Sequence, residues 1–258
     1  MEVIDINSLL EKQQEIKEDF NTKRPFRFTV FENFFRPDYA QKILAAYPDI
    51  RDGIWDGTTY VDQKNKFQKN KFESTSIFYQ VFSELNSNEF LKFLENVTDI
   101  PDLIGDSELF GGGLHQSIKG AFLNVHVDYN IHPQTKYHRR LNVLVYMNKS
   151  WKEEYEGFLE LWDFGNNSRE LLAKISPDFN RCVIFETNEI SYHGHPKALK
   201  TPDGINRKSI ATYYYTKSRP ESETAFEHNT VYINTEGLRG HVKRFKSGIK
   251  AMMERIIK

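Results

Sequence analysis

The sequence predicts an α+β fold in which N-terminal helices support an all-β barrel or sandwich. Helical periodicity dominates the chain before Gly111, and short β-prone runs separated by Gly, Asn, Pro and Asp follow it. Helices first and strands afterwards favour one α+β unit over two independent domains. A length of 258 residues with 39% hydrophobic content provides enough apolar side chains for a large core.

The first half of the chain contains three predicted helical stretches and one strand. Apolar residues at helical spacing predict helices from Ser8 to about Phe20, over Pro37–Ala46, and from Ser76 to about Val97. The alternating run Phe26–Phe31 predicts a strand. Residues 51–74 are polar with scattered aromatic side chains, which indicates a long irregular loop or lid, with a hairpin as an equal alternative.

The second half of the chain is predicted to be mainly β. Its apolar and β-branched runs are short, and turn residues separate them. The predicted strands are Gly120–Val127, Leu141–Tyr146, Phe158–Trp162, Arg181–Glu186, Ser191–His195 and Ser209–Thr216.

Charge and cysteine content narrow the function classes. The chain has 35 Lys and Arg against 36 Asp and Glu, a net charge of −1, which gives no overall attraction to nucleic acid or anionic membranes. Cys182 is the single cysteine, so an intrachain disulfide framework is excluded and a reducing compartment is favoured. The start resembles no signal peptide, and no apolar run has the length of a membrane span. We therefore expect a cytoplasmic protein.

The C-terminal tail predicts a basic amphipathic helix. Apolar residues recur at near-helical spacing across 240–258, among several Lys and Arg residues. Docking on the body of the protein or on a second copy, as in a homodimer, is the favoured role. Membrane or nucleic-acid contact is the minority interpretation.

Two residues in an apolar run indicate metal chemistry. In a strand, residues two apart share a face, so His126 and Asp128 place an imidazole beside a carboxylate. A distant strand end then provides His193 and His195, one of which would complete a two-histidine, one-carboxylate set of the kind that binds Fe(II) in oxygenases. The other histidine would orient a ligand. Taken alone, a His-x-Asp pair is more often ordinary strand alternation.

Arg207 begins a strongly β-prone strand. An arginine at the mouth of a barrel can hold a carboxylate through two hydrogen bonds. Taken alone, Arg207 would more often be a solvated charge at the end of a strand.

Five segments in order carry a family resemblance. They are His126–Asp128, Arg140–Trp151, Gly157–Asp163, Ser191–His195 and Arg207–Tyr215. In this order the chain resembles the prolyl 4-hydroxylase-like branch of the 2-oxoglutarate and Fe(II)-dependent dioxygenases, over roughly residues 26–220. Two departures from the family pattern are Glu156 in place of a first glycine before Gly157 and a somewhat long connection from His193 to Arg207.

The resemblance implies a fold and a domain organisation. It implies a double-stranded β-helix, or jelly-roll, core with helices packed on one sheet. Residues 26–220 would form the dioxygenase domain, residues 1–25 an N-terminal helical extension, and residues 221–258 the basic helical tail.

The resemblance also implies site residues and cofactors. His126, Asp128 and His193 would ligate Fe(II). Arg207 would hold the distal carboxylate of the co-substrate 2-oxoglutarate with help from the Tyr146 hydroxyl. The implied reaction uses O2, hydroxylates an organic substrate and converts 2-oxoglutarate to succinate and CO2.

The substrate itself is not indicated by any residue. A prolyl residue in a protein, a small molecule and a sugar all remain open. Residues 51–74 and 136–140 are candidate walls of a substrate site, although His132, His138 and Arg139 are better interpreted as solvated loop residues. The alternative function is a non-catalytic jelly-roll module that binds a ligand or protein.

Overall fold

A computed structural model describes residues 1–60, 62–165 and 169–233. Its helices are α1 (Ile6–Glu11), α2 (Gln13–Thr22), α3 (Pro37–Ala45), α4 (Ile77–Leu85) and α5 (Asn88–Thr98). Its strands are β1 (Phe28–Phe31), β2 (Asp56–Tyr60), β3 (Gln63–Lys69), β4 (Gly113–Val127), β5 (His138–Tyr146), β6 (Leu159–Asp163), β7 (Glu170–Ile175), β8 (Arg181–Glu186), β9 (Tyr192–His195), β10 (Arg207–Thr216) and β11 (Val231–Tyr232).

The strands form one curled antiparallel sheet. Its order is β1-β8-β5-β10-β4-β9-β6-β7, while β3 and β11 also pair with β4 and β2 extends the edge as a hairpin with β3. The long strand β4 joins the two halves of the curl. Its first part pairs with β10 and its last part with β9, with an irregularity in register between Leu123 and His126. This bend in β4 closes the half-barrel around a cavity.

The helices cover the outer face of the sheet. Phe90 of α5 lies against Phe34 and Phe93, each with ring centroids 5.7 Å away, and against Tyr214 of β10 at 6.2 Å. The α1 and α2 residues Ile6, Leu9, Ile16 and Phe20 are buried in the same cluster. One apolar core therefore joins the N-terminal helices to the sheet.

Residues 51–74, predicted as a loop with a hairpin as the alternative, contain the β2–β3 hairpin. Serine caps explain why the predicted helix from Ser76 to Val97 is two helices. The Ser76 hydroxyl accepts from the Phe78 amide at the start of α4, and the Ser87 hydroxyl accepts from the Phe90 amide at the start of α5. The predicted helix from Ser8 to Phe20 is likewise divided, at Lys12.

The predicted strands are present, and several are longer than the sequence patterns indicate. The largest extension is in β4, which begins at Gly113 rather than Gly120. Strands β7 and β11 were not predicted; β7 does not alternate regularly between apolar and polar residues, and β11 is only two residues long.

The chain continues past β11 into the predicted C-terminal basic helix, residues 240–258, which lies outside the described residues. Ahead of it, Val231 and Tyr232 of β11 pair with Val127 and His126 at the end of β4. None of the helices in the described ranges is long and apolar enough to cross a lipid bilayer.

Candidate metal centre and co-substrate pocket

A small cavity lies inside the curl of the sheet, with a volume of about 80 Å³. Strands β3, β4, β5, β9 and β10 all contribute side chains to it. Its polar lining residues are Lys66, His115, Ser117, His126, Asp128, Asn142, Tyr146, His193, His195, Arg207, Ser209 and Tyr213.

Three side chains at one end of the cavity form a cluster of metal-ligand type. One ligand atom each from His126, Asp128 and His193 lie within 4.8 Å of one another. Strand pairing creates this arrangement, because His126 of β4 is the register partner of His193 of β9. Asp128 follows the last residue of β4. The structure brings His193, and not His195, into the cluster.

Both histidines of the cluster are oriented by backbone carbonyls. His126 Nδ1 lies 2.8 Å from the Asn124 carbonyl, and His193 Nδ1 lies 2.9 Å from the Ser191 carbonyl. A carbonyl only accepts, so each Nδ1 carries a proton and each Nε2 faces the cluster. These Nε2 atoms lie 3.6 Å and 3.4 Å from oxygens of the Asp128 carboxylate.

That arrangement fits a bound cation. Two imidazole nitrogens converge on one buried carboxylate, an arrangement that a cation bound among the three side chains would stabilise. Burial, followed by the neighbouring His126, lowers the pKa of His193 to about 4, so this imidazole is neutral at physiological pH, as a metal ligand must be. Two imidazoles and one carboxylate are the donor set of non-haem Fe(II) sites.

Two hydrogen-bond donors, Arg139 and Asn142, fix the Asp128 carboxylate of the cluster. Arg139 Nη2 and Asn142 Nδ2 lie 2.9 Å and 2.8 Å from Asp128 Oδ2. Burial would raise the pKa of Asp128, but Arg139 together with His193 and His126 holds that pKa well below its usual range. Asp128 is therefore ionised and fixed in orientation.

His195 lines the cavity beyond the cluster. Burial, followed by Arg207 and Lys66, lowers its pKa well below 6.5, and its Nδ1 atom is buried without a hydrogen-bond partner among the described residues. Gly194, between the two histidines, has no room for a side chain because a Cβ would lie 2.8 Å from the Leu123 carbonyl oxygen and 2.9 Å from that of Asn124. The close approach of β4 and β9 therefore requires glycine there.

The opposite end of the cavity is cationic. Arg207 is 7% exposed; its Nε donates to the Gly157 carbonyl at 2.7 Å and its Nη2 to the Tyr146 hydroxyl at 3.2 Å. None of the described carboxylates forms an ion pair with Arg207. The guanidinium is therefore oriented and buried, and it faces the cavity.

Lys66 also lines the cavity, and sequence reasoning missed it. Burial lowers the pKa of Lys66 to about 8, with Asp128 opposing this shift and Arg207 and Arg139 adding to it. Lysine is common in polar segments, so residues 51–74 gave no signal that one of them faces the interior.

Two sequence interpretations are wrong in detail. Arg139 and His132, interpreted as solvated loop residues, are 1% and 3% exposed. Regular strand alternation would place Phe122 and Asn124 on the inner face with His126, but neither residue lines the cavity. The irregularity in β4 turns Leu123 inward instead, and Asn124 donates to Asp62 Oδ1 at 3.1 Å.

Residues 112–215 match the family model described as the 2OG-Fe(II) oxygenase superfamily. This range contains the metal-type cluster and Arg207, so the part of the chain that carries the site is similar to that superfamily. Prolyl 3-hydroxylase OGFOD1 of Mus musculus is 28% identical over 91 residues, which are 34% of this chain and 16% of the relative. The aligned part thus spans about a sixth of that relative.

Solved structures share the fold at low sequence identity. A prolyl-4-hydroxylase of Pseudomonas putida gives a TM-score of 0.53 at 14% identity and covers 78% of this chain and 98% of its own. A prolyl 4-hydroxylase of Phytophthora capsici gives 0.57 at 18%, covering 93% and 75%. A Trichoplax adhaerens prolyl hydroxylase, solved with a hypoxia inducible factor peptide fragment, gives 0.55 at 16%, covering 81% and 91%. The predicted double-stranded β-helix core is confirmed.

Proposed function

We propose that this protein is a 2-oxoglutarate- and Fe(II)-dependent hydroxylase. It couples hydroxylation of an organic substrate to oxidation of 2-oxoglutarate to succinate and CO2. The observation that carries the proposal is the convergence of two imidazole nitrogens on an ionised carboxylate, in one cavity with an arginine that pairs with none of the described carboxylates. A non-catalytic binding module, the alternative, has no need for this arrangement.

The metal site is assigned to His126, Asp128 and His193. Their Nε2 and carboxylate oxygen atoms would hold Fe(II), which supplies the O2 chemistry when bound. The chain's own contribution is orientation. The carbonyls of Asn124 and Ser191 fix the two rings, and Arg139 keeps Asp128 ionised.

The co-substrate site is assigned to Arg207 and Tyr146. The Arg207 guanidinium would pair with the distal carboxylate of 2-oxoglutarate, and the Tyr146 hydroxyl would complete its binding. Support comes from the two hydrogen bonds that already orient Arg207, from Gly157 and Tyr146, and from the burial that strengthens charge pairing.

Anaerobic titration of Fe(II) and then 2-oxoglutarate tests the assignment. Wild type is expected to develop the weak visible charge-transfer band of the chelate. Asp128→Ala should abolish it, and Arg207→Ala should shift it to much higher 2-oxoglutarate concentration. Asp178→Ala is the matched control, because Asp178 pairs with Arg181 away from the cavity. A folded wild type that binds Fe(II) and gives no band contradicts the proposal.

We further propose a prolyl residue of a peptide or protein as the substrate, with a small molecule or sugar as the competing class. The 28% identity to a prolyl 3-hydroxylase supports the prolyl choice. Succinate formation with proline-containing peptides, compared with the same peptides carrying alanine, tests it. Equal turnover of both sets would contradict a prolyl substrate.

We also propose that residues 26–220 form the catalytic domain and that the protein works in the cytoplasm. The family match at 112–215 falls within this proposed domain. The single buried Cys182 supports a reducing compartment, which would keep iron ferrous. Fractionation of cells and limited proteolysis test the two statements.

A further inference from the structure

Lys66 and Arg207 lie in one row across three strands. Ser117 of β4 is the register partner of Arg207 on one side and of Lys66 on the other. Residues directly opposite one another in antiparallel strands present their side chains on the same face, and two strand spacings separate the two backbones by about 10 Å. All three side chains line the same cavity.

The two cations have no anion between them. Neither Lys66 nor Arg207 forms an ion pair with a carboxylate of the described residues. The one carboxylate that lines the cavity, Asp128, is paired with Arg139. Two like charges in one small buried space are unfavourable without a counter-ion, so a bound anion would stabilise both.

The size of the cavity limits what that anion is. A volume of about 80 Å³ holds roughly five to eight water-sized positions. This space accommodates one small dicarboxylic acid. Because both side chains line this small cavity, a ligand carboxylate held by Arg207 also lies near Lys66.

We propose that Lys66 is a second cationic anchor for the distal carboxylate of 2-oxoglutarate, facing Arg207 across that group. The proposal rests on the proposed function, and it assigns a co-substrate role to the β2–β3 hairpin, in whose described part Lys66 is the residue that lines the cavity. Burial lowers the pKa of Lys66 against the opposing effect of Asp128, and a bound anion would favour its charged form.

If Lys66 contacts the co-substrate, the position of the β2–β3 hairpin depends on co-substrate binding. Arg207 belongs to β10 in the middle of the sheet, whereas Lys66 belongs to a hairpin whose attachment to the sheet is its pairing with β4. A carboxylate shared by both cations ties the hairpin to the sheet. Binding of the co-substrate therefore restrains the hairpin.

A binding experiment with two 2-oxo acids tests the assignment. The protein is loaded with Mn(II) and titrated calorimetrically with 2-oxoglutarate or with 2-oxopentanoate, which has a methyl group in place of the distal carboxylate. The variants are Lys66→Met, which keeps the length and removes the charge, and Lys66→Arg, which keeps the charge. Lys64→Met, at an exposed lysine of the same strand, is the control.

We expect Lys66→Met to weaken 2-oxoglutarate binding about ten- to hundredfold and to leave 2-oxopentanoate binding unchanged. Lys66→Arg should retain most of the 2-oxoglutarate affinity, and Lys64→Met all of it. Equal 2-oxoglutarate affinity in wild type and Lys66→Met overturns the proposal, as does equal weakening of both acids. If wild type binds Mn(II) but not 2-oxoglutarate, the proposed function itself fails, which is a different result.

Amide hydrogen exchange provides a second readout. 2-Oxoglutarate should slow exchange across residues 56–69 in wild type and Lys64→Met, but not in Lys66→Met. Slowing of equal size in Lys66→Met, measured at saturating 2-oxoglutarate, overturns the link between Lys66 and the hairpin.

Discussion

Arg139 Nη2 lies 2.9 Å from Asp128 Oδ2, and the guanidinium carbon of Arg139 lies 3.5 Å from the centre of the Tyr213 ring. The arginine is 1% exposed, and it also donates to the Asn142 side-chain carbonyl, whose amide nitrogen in turn donates to Asp128. Asp128 is thus held by a closed set of charged and neutral donors. This set determines the orientation of the one anionic ligand in the proposed metal site.

Replacing Arg139 with methionine should weaken metal binding about ten- to hundredfold, the usual effect of removing a group that orients a ligand. The loss follows because Asn142 alone is left to hold Asp128. Mn(II) titration followed by electron paramagnetic resonance measures the affinity.

The control for this prediction is Arg139→Lys, which keeps the charge and should recover part of the affinity. Removing one partner of a buried pair also destabilises a fold by about 3–5 kcal/mol, so circular dichroism must first establish that each variant is folded. Unchanged Mn(II) affinity in folded Arg139→Met would show that Asn142 is sufficient.

The affinity for 2-oxoglutarate should depend on pH through Lys66. Its pKa of about 8 in the free protein rises when a carboxylate pairs with it, so the protonated form binds more tightly. The affinity should therefore be constant well below pH 8 and fall as the pH rises through that value, by up to tenfold per pH unit. His195 and His115 are neutral throughout this range because burial lowers both pKa values well below 6.5.

Calorimetric titration from pH 7 to 9.5 measures this dependence. Lys66→Arg should flatten the fall, because the guanidinium stays charged. A slope that persists in Lys66→Arg would assign the titration to a different group.

Gly157→Ala should weaken 2-oxoglutarate binding about tenfold while leaving the metal site intact. Gly157 has φ of +75°, and a Cβ there would collide with Leu199 Cδ2 and lie 3.2 Å from Arg207 Cδ. The added methyl group would displace the arginine whose Nε donates to this residue's carbonyl.

Gly204→Ala is the matched control. Gly204 also has a positive φ, +85°, but has no atom within 4 Å of an added Cβ. Similar backbone strain without contact to Arg207 should leave 2-oxoglutarate affinity unchanged. If both alanine variants weaken it equally, strain rather than displacement of Arg207 is the cause.

Phe90→Ala should destabilise the whole protein by about 3–5 kcal/mol. Phe90 contacts Phe34, Phe93 and Tyr214. Removing its ring would therefore leave a void between the helices and β10. Chemical denaturation followed by tryptophan fluorescence and by circular dichroism should show one shifted transition. Two separate transitions would indicate that helices and sheet unfold independently. Tyr79→Ala, at a half-exposed α4 ring, is the control.

The sequence was sufficient to predict residues whose roles depend on local spacing. A period of two places His126 beside Asp128, and a β-prone run after Arg207 places that arginine at the start of a strand. These patterns lie within a few residues of one another, and the order of five such segments indicated the fold. The prediction that His126, Asp128 and His193 lie together came from the resemblance. Neither segment alone shows that β4 pairs with β9.

Residues whose roles depend on a distant partner were not predictable in this way. Arg139 and a solvated arginine look the same in sequence, and only the position of Asp128 across the fold distinguishes them. Lys66 is similar, since the register of β3 against β4 decides which lysine of the hairpin faces inward. The irregularity in β4 also reverses the alternation that placed Phe122 on the inner face.

Val231 and Tyr232 pair with the end of β4, so a C-terminal truncation that removes them exposes this strand. The family match ends at residue 215, which invites truncation soon after it. Without β11, the backbone of Val127 and His126 loses its neighbour on one side, and an unpaired strand edge attracts other chains. A truncated version would combine a disturbed strand end at the proposed metal ligand His126 with a tendency to self-associate, so its inactivity would say nothing about the chemistry of the full chain.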